Sequence, residues 1–276
     1  MTIPGLALAA VLALLAAAPP APETETIWIP LTERSPRGEP RALRLEATLY
    51  RSSRGPGSPV LIFNHGSTGG GQIAPTLTRT YPELGRHFAG RGFTVLMPMR
   101  RGRGASGGDY LERYGCDHDT LAPGVARGIE DLDAVMAFVA GQPWFDRARF
   151  VLGGQSRGGL LSVVYASARD TGARGVLNFA GGWVNGACNQ RIRFHEHMFG
   201  RAGGSAGPPG LWLYSENDPL YGPDSVRGSH AAFVRAGGVA DLQILPPLSP
   251  DGHLGLPRTP VAWERMVDEF LGRLGL

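Results

Sequence analysis

Lysine is absent: all 27 basic side chains of this 276-residue chain are arginine. A phosphate-binding P-loop carries a lysine after its glycines, so that class of nucleotide site is excluded. The arginines are scattered, no basic block is interleaved with aromatics, and the formal net charge is only +3. Nucleic-acid binding needs a concentrated positive face and finds none here. The His-Glu-x-x-His zinc signature is also missing. His195-Glu196-His197 and Cys116-Asp117-His118-Asp119 gather ligand-type side chains without the spacing of a known metal site, so no metal is expected. Gly102, Gly104, Gly107 and Gly108 stand outside any nucleotide-binding context and read as a loop turning beside a pocket. No cofactor is expected.

Long apolar runs are confined to the start of the chain. Leu6 to Ala18 is almost wholly Ala, Leu and Val and gives way to Pro19-Pro20-Ala21-Pro22. Its 13 residues are short for a membrane span, and Ala16 and Ala18 suit a processing site. Residues 1–22 are therefore read as a signal peptide and processing segment, with a secreted or periplasmic product and no stable membrane insertion after processing. No lipobox cysteine follows the run. Cysteine is scarce, with Cys116 and Cys188 alone, and in an exported protein such a pair is a disulfide candidate. The remaining residues, 23–276, suffice for one large core.

That stretch alternates between two hydrophobic patterns. Leu43 to Leu49 reads as a half-exposed strand, and Val60–Phe63, Thr94–Met97, Arg149–Gly153, Val176–Ala180, Leu211–Tyr214 and Asp241–Leu245 read as further strands. Helices are expected over Tyr81–Gly90, Gly128–Ala140, the segment after Ser156, Ser229–Gly237 and Val261–Leu274. Short apolar strands separated by helices predict an α/β fold, a mostly parallel sheet covered on both faces. Sites in such sheets form beyond the carboxyl ends of the strands. Residues 181–210 form a long interruption before the Leu211 strand and are expected to be a loop insertion shaping a substrate pocket.

The strongest chemical signal is Gly154-Gln155-Ser156-Arg157-Gly158 directly after an apolar strand. Glycines two before and two after Ser156 permit a sharp strand-to-helix turn that exposes a nucleophilic hydroxyl. A serine hydroxyl needs a base and a group to orient that base. His253, in a loop after the last strand, is the expected base. Asp218, following the Leu211–Tyr214 strand, is the preferred carboxylate, with Asp224 and Asp251 as competitors. The tetrahedral oxyanion needs fixed donors, expected from the backbone N–H of Arg157 and that of Ser67, with Thr68 as the runner-up. His65, Thr68 and Trp183 are candidate pocket residues, Trp183 being balanced between substrate contact and loop core. Arg157 could attract a substrate carboxylate or pair with an acidic side chain of the protein.

His65-Gly66-Ser67, Pro98-Met99-Arg100-Arg101-Gly102-Arg103-Gly104, Gly154 to Gly159, Asn217-Asp218-Pro219 and Asp251-Gly252-His253 occur in an order that resembles the α/β-hydrolase superfamily. The resemblance spans about Val60 to Leu274 and is closest to the dienelactone hydrolase-like and prolyl-oligopeptidase-like esterase branch. It implies acyl transfer to water through a covalent serine ester. Ser156 stands where true dienelactone hydrolases use cysteine, which makes an ordinary small-molecule carboxylic ester the expected substrate. A serine peptidase acting on small peptides is the second reading, and a noncatalytic ligand-binding protein on the same scaffold the third.

Overall fold

A computed structural model describes residues 23–34, 37–67, 74–112, 115, 117–183 and 191–276. Eight strands form one sheet: β1 (Thr24–Arg34), β2 (Pro40–Tyr50), β3 (Val60–Asn64), β4 (Thr94–Pro98), β5 (Phe150–Gln155), β6 (Val176–Phe179), β7 (Gly210–Ser215) and β8 (Ala240–Leu245). Their spatial order is β1-β2-β4-β3-β5-β6-β7-β8. β1 and β2 pair antiparallel, β2 meets β4 antiparallel, and every pairing from β4 through β8 is parallel. The helices are α1 (Pro82–Gly90), α2 (His118–Val139), α3 (Arg157–Ala168), α4 (Arg191–Gly203), α5 (Pro223–Arg235), the single turn α6 (Gly252–Gly255) and α7 (Glu264–Arg273). The mostly parallel sheet with helices on both faces is the expected class.

The central strands are apolar without alternation because both sheet faces are covered. Every residue of β3, β4, β5, β6 and β7 is buried. β1 behaves differently: it alternates exposed and half-buried positions, and only Ile29 is fully enclosed. Pro30 cannot donate to a ladder, which suits a strand paired on one side only. The sequence pattern did not single this strand out.

α2 begins ten residues earlier than the periodicity from Gly128 indicated, because Asp117 caps it by accepting from the Thr120 N–H at 2.9 Å. Pro123 and Gly124 lie inside that first stretch and disguise it. Within the segment read as an insertion, 191–203 is helical, and α4 contributes Phe194, Phe199 and Ala202 to the core. The Phe199 ring lies 4.5 Å from that of Trp212 on β7. Among the described residues, no helix is long and apolar enough to cross a membrane.

Candidate active site

Parallel pairing brings the carboxyl ends of β3, β5, β6 and β7 to one edge, where the chain leaves each strand next to its neighbours. At the end of β5 the backbone reverses within one residue: Ser156 has φ 56° and ψ −122°, a conformation costly for a residue with a Cβ. It persists because its surroundings fix it from both sides. Its N–H donates to Phe179 O at 2.9 Å, and its carbonyl accepts from Gly159, Leu160 and Gly182. The glycines are steric requirements. A Cβ on Gly154 would lie 2.3 Å from the Gly158 carbonyl, and one on Gly158 would lie 2.0 Å from Asn64 O. No side-chain adjustment relieves contacts between backbones, so α3 can start this close to β3 only with glycine at both places.

Asp218 and His253 meet beyond the end of β7. His253 Nδ1 lies 2.9 Å from Asp218 Oδ2, and the carboxylate side chain is fully enclosed. A carboxylate only accepts, so the ring donates through Nδ1 and presents Nε2 as the acceptor. The other Asp218 oxygen accepts from the backbone N–H groups of Leu220 and Tyr221, at 2.8 and 3.0 Å, which fixes its orientation. The Tyr221 ring packs edge-on against His253, 5.3 Å between centroids. The competing acids are engaged elsewhere: Asp251 caps α6 through Leu254 N–H, and Asp224 stands in solvent 3.7 Å from Arg227.

Gln155 joins these pieces. Its Nε2 donates to the His253 carbonyl at 3.1 Å, which seats the histidine-bearing turn against the residue before Ser156. Its Oε1 accepts from the Tyr81 hydroxyl at 3.1 Å, and that hydroxyl in turn accepts from Gly66 N–H at 2.8 Å. Gly66 passes so close that a Cβ there would lie 3.1 Å from Ser156 Cβ. The Ser67 N–H belongs to the peptide that follows Gly66, and the Arg157 N–H opens α3 immediately after the serine. Helix N-termini and free amides are the groups that stabilise a developing oxyanion. Among the described residues the Ser156 hydroxyl makes no hydrogen bond; contacts of this kind commonly tighten only when substrate is bound.

The remaining candidates are placed as follows. His65 is buried, with Nε2 accepting from Arg100 N–H at 3.1 Å and Nδ1 facing the Gly66 carbonyl at 2.5 Å, so its ring supports the loop from within. Burial, and then the charge of Arg100, push its pKa well below the usual histidine value and keep it neutral. Trp183 is only 1% exposed and lies in the core beside Arg157, whose guanidinium carbon is 5.1 Å from the indole centroid. Arg157 resolves toward the protein: its Nη1 donates to Glu112 Oε2 at 3.2 Å and to the Tyr110 hydroxyl at 2.7 Å. Thr68, Cys116 and Cys188 lie outside the described residues. Among the described residues, no three His, Cys, Asp or Glu side chains converge on a point where a metal could bind.

Glu112, Tyr81 and Gln155 were not singled out by sequence. Burial alone would raise the Glu112 carboxyl, but the charge and hydrogen bond of Arg100, followed by the charge of Arg157, outweigh it and hold the pKa at about 2. Nothing local marks this residue. Its partners are 12 and 45 positions away.

No family model matches the chain, and no curated protein matches it in sequence. Its fold does match solved structures. Acetyl xylan esterase 1 from Thermoanaerobacterium sp. JW/SL YS485 superposes with a TM-score of 0.58 at 17% identity, over 92% of this chain and 88% of that one. The Pyrococcus furiosus esterase Pf2001 gives 0.60 at 16% identity, over 91% and 90% of the two chains. The Pyrococcus horikoshii acylaminoacyl peptidase gives 0.61 at 16% identity, over 92% of this chain but 42% of that longer one. The fold is that of the α/β-hydrolases. Esterases and peptidases match equally well, so the likeness selects no single branch.

Proposed function

We propose that the protein is a serine hydrolase that cleaves small-molecule carboxylic esters through an acyl-enzyme. The observation that carries this reading is the Asp218–His253 pair at 2.9 Å, seated by Gln155 against a strained Ser156 at a strand-to-helix turn. His253 Nε2 takes the hydroxyl proton as Ser156 Oγ attacks the ester carbonyl, and Asp218 stabilises the imidazolium that results. The N–H groups of Arg157 and Ser67 receive the negative oxygen. Collapse of the intermediate expels the alcohol, protonated by His253, and water then releases the acid by the same sequence in reverse.

Two observations favour esters over peptides. The chain superposes on only 42% of the longer acylaminoacyl peptidase, whereas it spans about nine-tenths of both esterases it resembles. Ser156 is 4% exposed, which fits a small acyl group entering a narrow opening. The apolar Leu6–Ala18 segment followed by a proline-rich stretch supports export to the periplasm or medium. The test is reaction with a fluorophosphonate followed by peptide mass analysis, alongside turnover of p-nitrophenyl esters and aminoacyl p-nitroanilides. The expected result is a label on Ser156, ester turnover that Ser156→Ala abolishes, and little anilide cleavage. A folded protein unlabelled at Ser156 overturns the reading, and faster anilide cleavage turns it into a peptidase.

A further inference from the structure

Both segments that would supply oxyanion donors are tied, through arginines, to one buried carboxylate outside the triad. Glu112 is 4% exposed and lies between two guanidinium groups. Arg100 holds it bidentately, Nε on Oε1 and Nη2 on Oε2, the latter at 3.1 Å. Arg157 Nη1 reaches the same Oε2 at 3.2 Å and the Glu112 carbonyl at 3.0 Å. Arg157 is the residue whose own N–H follows the nucleophile. Arg100 meanwhile grips the other segment twice: its Nη1 donates to His65 O at 2.7 Å and its backbone N–H to His65 Nε2 at 3.1 Å. Two peptides further on is the Ser67 N–H.

We propose that Glu112 is a positioning residue for transition-state stabilisation, setting the spacing between the Arg157 and Ser67 amides by holding Arg157 and Arg100 on one carboxylate. This rests on the serine-hydrolase reading above. A buried Arg–Glu–Arg cluster is a poor source of net stability, because the desolvation of three charges offsets their attraction, and apolar replacements of similar volume are commonly as stable or more so. Its geometry is another matter. Bidentate guanidinium–carboxylate pairs fix direction as well as distance, and displacing one oxyanion donor costs about 100-fold or more in kcat.

The experiment compares the wild type with Glu112→Gln and with the triple variant Arg100→Met/Glu112→Leu/Arg157→Leu, rates being normalised to folded protein by near-ultraviolet circular dichroism. The expected result is a kcat for p-nitrophenyl acetate lower by about 30-fold or more in Glu112→Gln, with KM changed less than about 3-fold. Inhibition by a trifluoromethyl ketone, which forms a tetrahedral adduct on serine, should weaken in proportion to kcat/KM. The triple variant should regain melting temperature without regaining kcat. A folded variant of either kind with wild-type kcat overturns the inference, as does the triple variant recovering kcat and stability together, which would make Glu112 purely structural. If Glu112→Gln does not fold, the triple variant decides. A wild type that neither turns over esters nor labels at Ser156 fails at the earlier step and takes this inference with it.

Discussion

The residues on either side of Ser156 are both buried, yet they are held by opposite kinds of chemistry. Gln155, before it, belongs to a neutral chain: Gly66 N–H to Tyr81 hydroxyl to Gln155 to the His253 carbonyl. Arg157, after it, belongs to an ionic cluster with Glu112 and Arg100. Each network grips the same loop, one at Gly66 and the other at His65. A neutral hydrogen bond contributes roughly 1 kcal/mol net and fails gently. A buried charge left without its partner fails severely. Losing one partner on the charged side should therefore cost more than losing one on the neutral side.

Truncation should separate the two regions most widely. Glu112→Ala leaves two guanidiniums enclosed without their shared carboxylate, and a loss of about 3–5 kcal/mol is expected in urea or thermal unfolding. Tyr81→Phe removes only the hydroxyl between Gly66 and Gln155, and about 1–2 kcal/mol is expected. Equal losses in the two variants would erase the distinction.

Acid should reach the two regions differently as well. Below pH 6.5 an unfolded chain protonates His65, whereas the folded chain resists because burial and Arg100 disfavour the charge, so stability falls as pH drops. His87, pushed down by burial and then by Arg91, acts with the same sign. Glu112 enters later. Its folded pKa of about 2 against an ordinary 4.5 means its stabilisation is complete above 4.5 and is lost as pH falls toward 2. Melting temperature measured from pH 8 to 3 should therefore decline in two stages. His65→Gln should flatten only the upper one, leaving the parts due to His87 and His197, whose pKa burial also lowers, and an unchanged upper slope would contradict a buried neutral His65.

How much of this could be read from the residues depended on whether the signal was local. The elbow was legible because glycine at 154 and 158 answers a backbone clash fixed by the strand-to-helix turn itself. The pairing of Asp218 with His253 could be anticipated because each follows a strand whose apolar pattern is self-contained. β1 escaped because its outward positions are exposed and Pro30 interrupts it. The first ten residues of α2 escaped because Pro123 and Gly124 read as breakers. Tyr81, Gln155 and Glu112 escaped for another reason: their roles are contacts. Tyr81 and Gln155 are 74 positions apart, and no spacing rule connects them. Arg157 illustrates the same limit, since its two readings were separated only by the arrival of Glu112 from a different loop.

A surface pair supplies the lower bound for the comparison. Arg91 contacts both Asp268 and Glu264, and the Arg91 and Asp268 side chains are 39% and 40% exposed. Solvent screens such a pair, and ordering two long side chains offsets most of its attraction. Asp268→Asn also leaves Glu264 in place, so a loss below about 0.5 kcal/mol is expected, vanishing in roughly 1 M salt. The Glu112 cluster, closed off from counterions, should keep its full effect in the same salt. A Glu112→Ala loss that shrank in parallel with the Asp268→Asn loss would mean that water and ions reach the carboxylate, and the rigidity assigned to the charged side of the elbow would go with it.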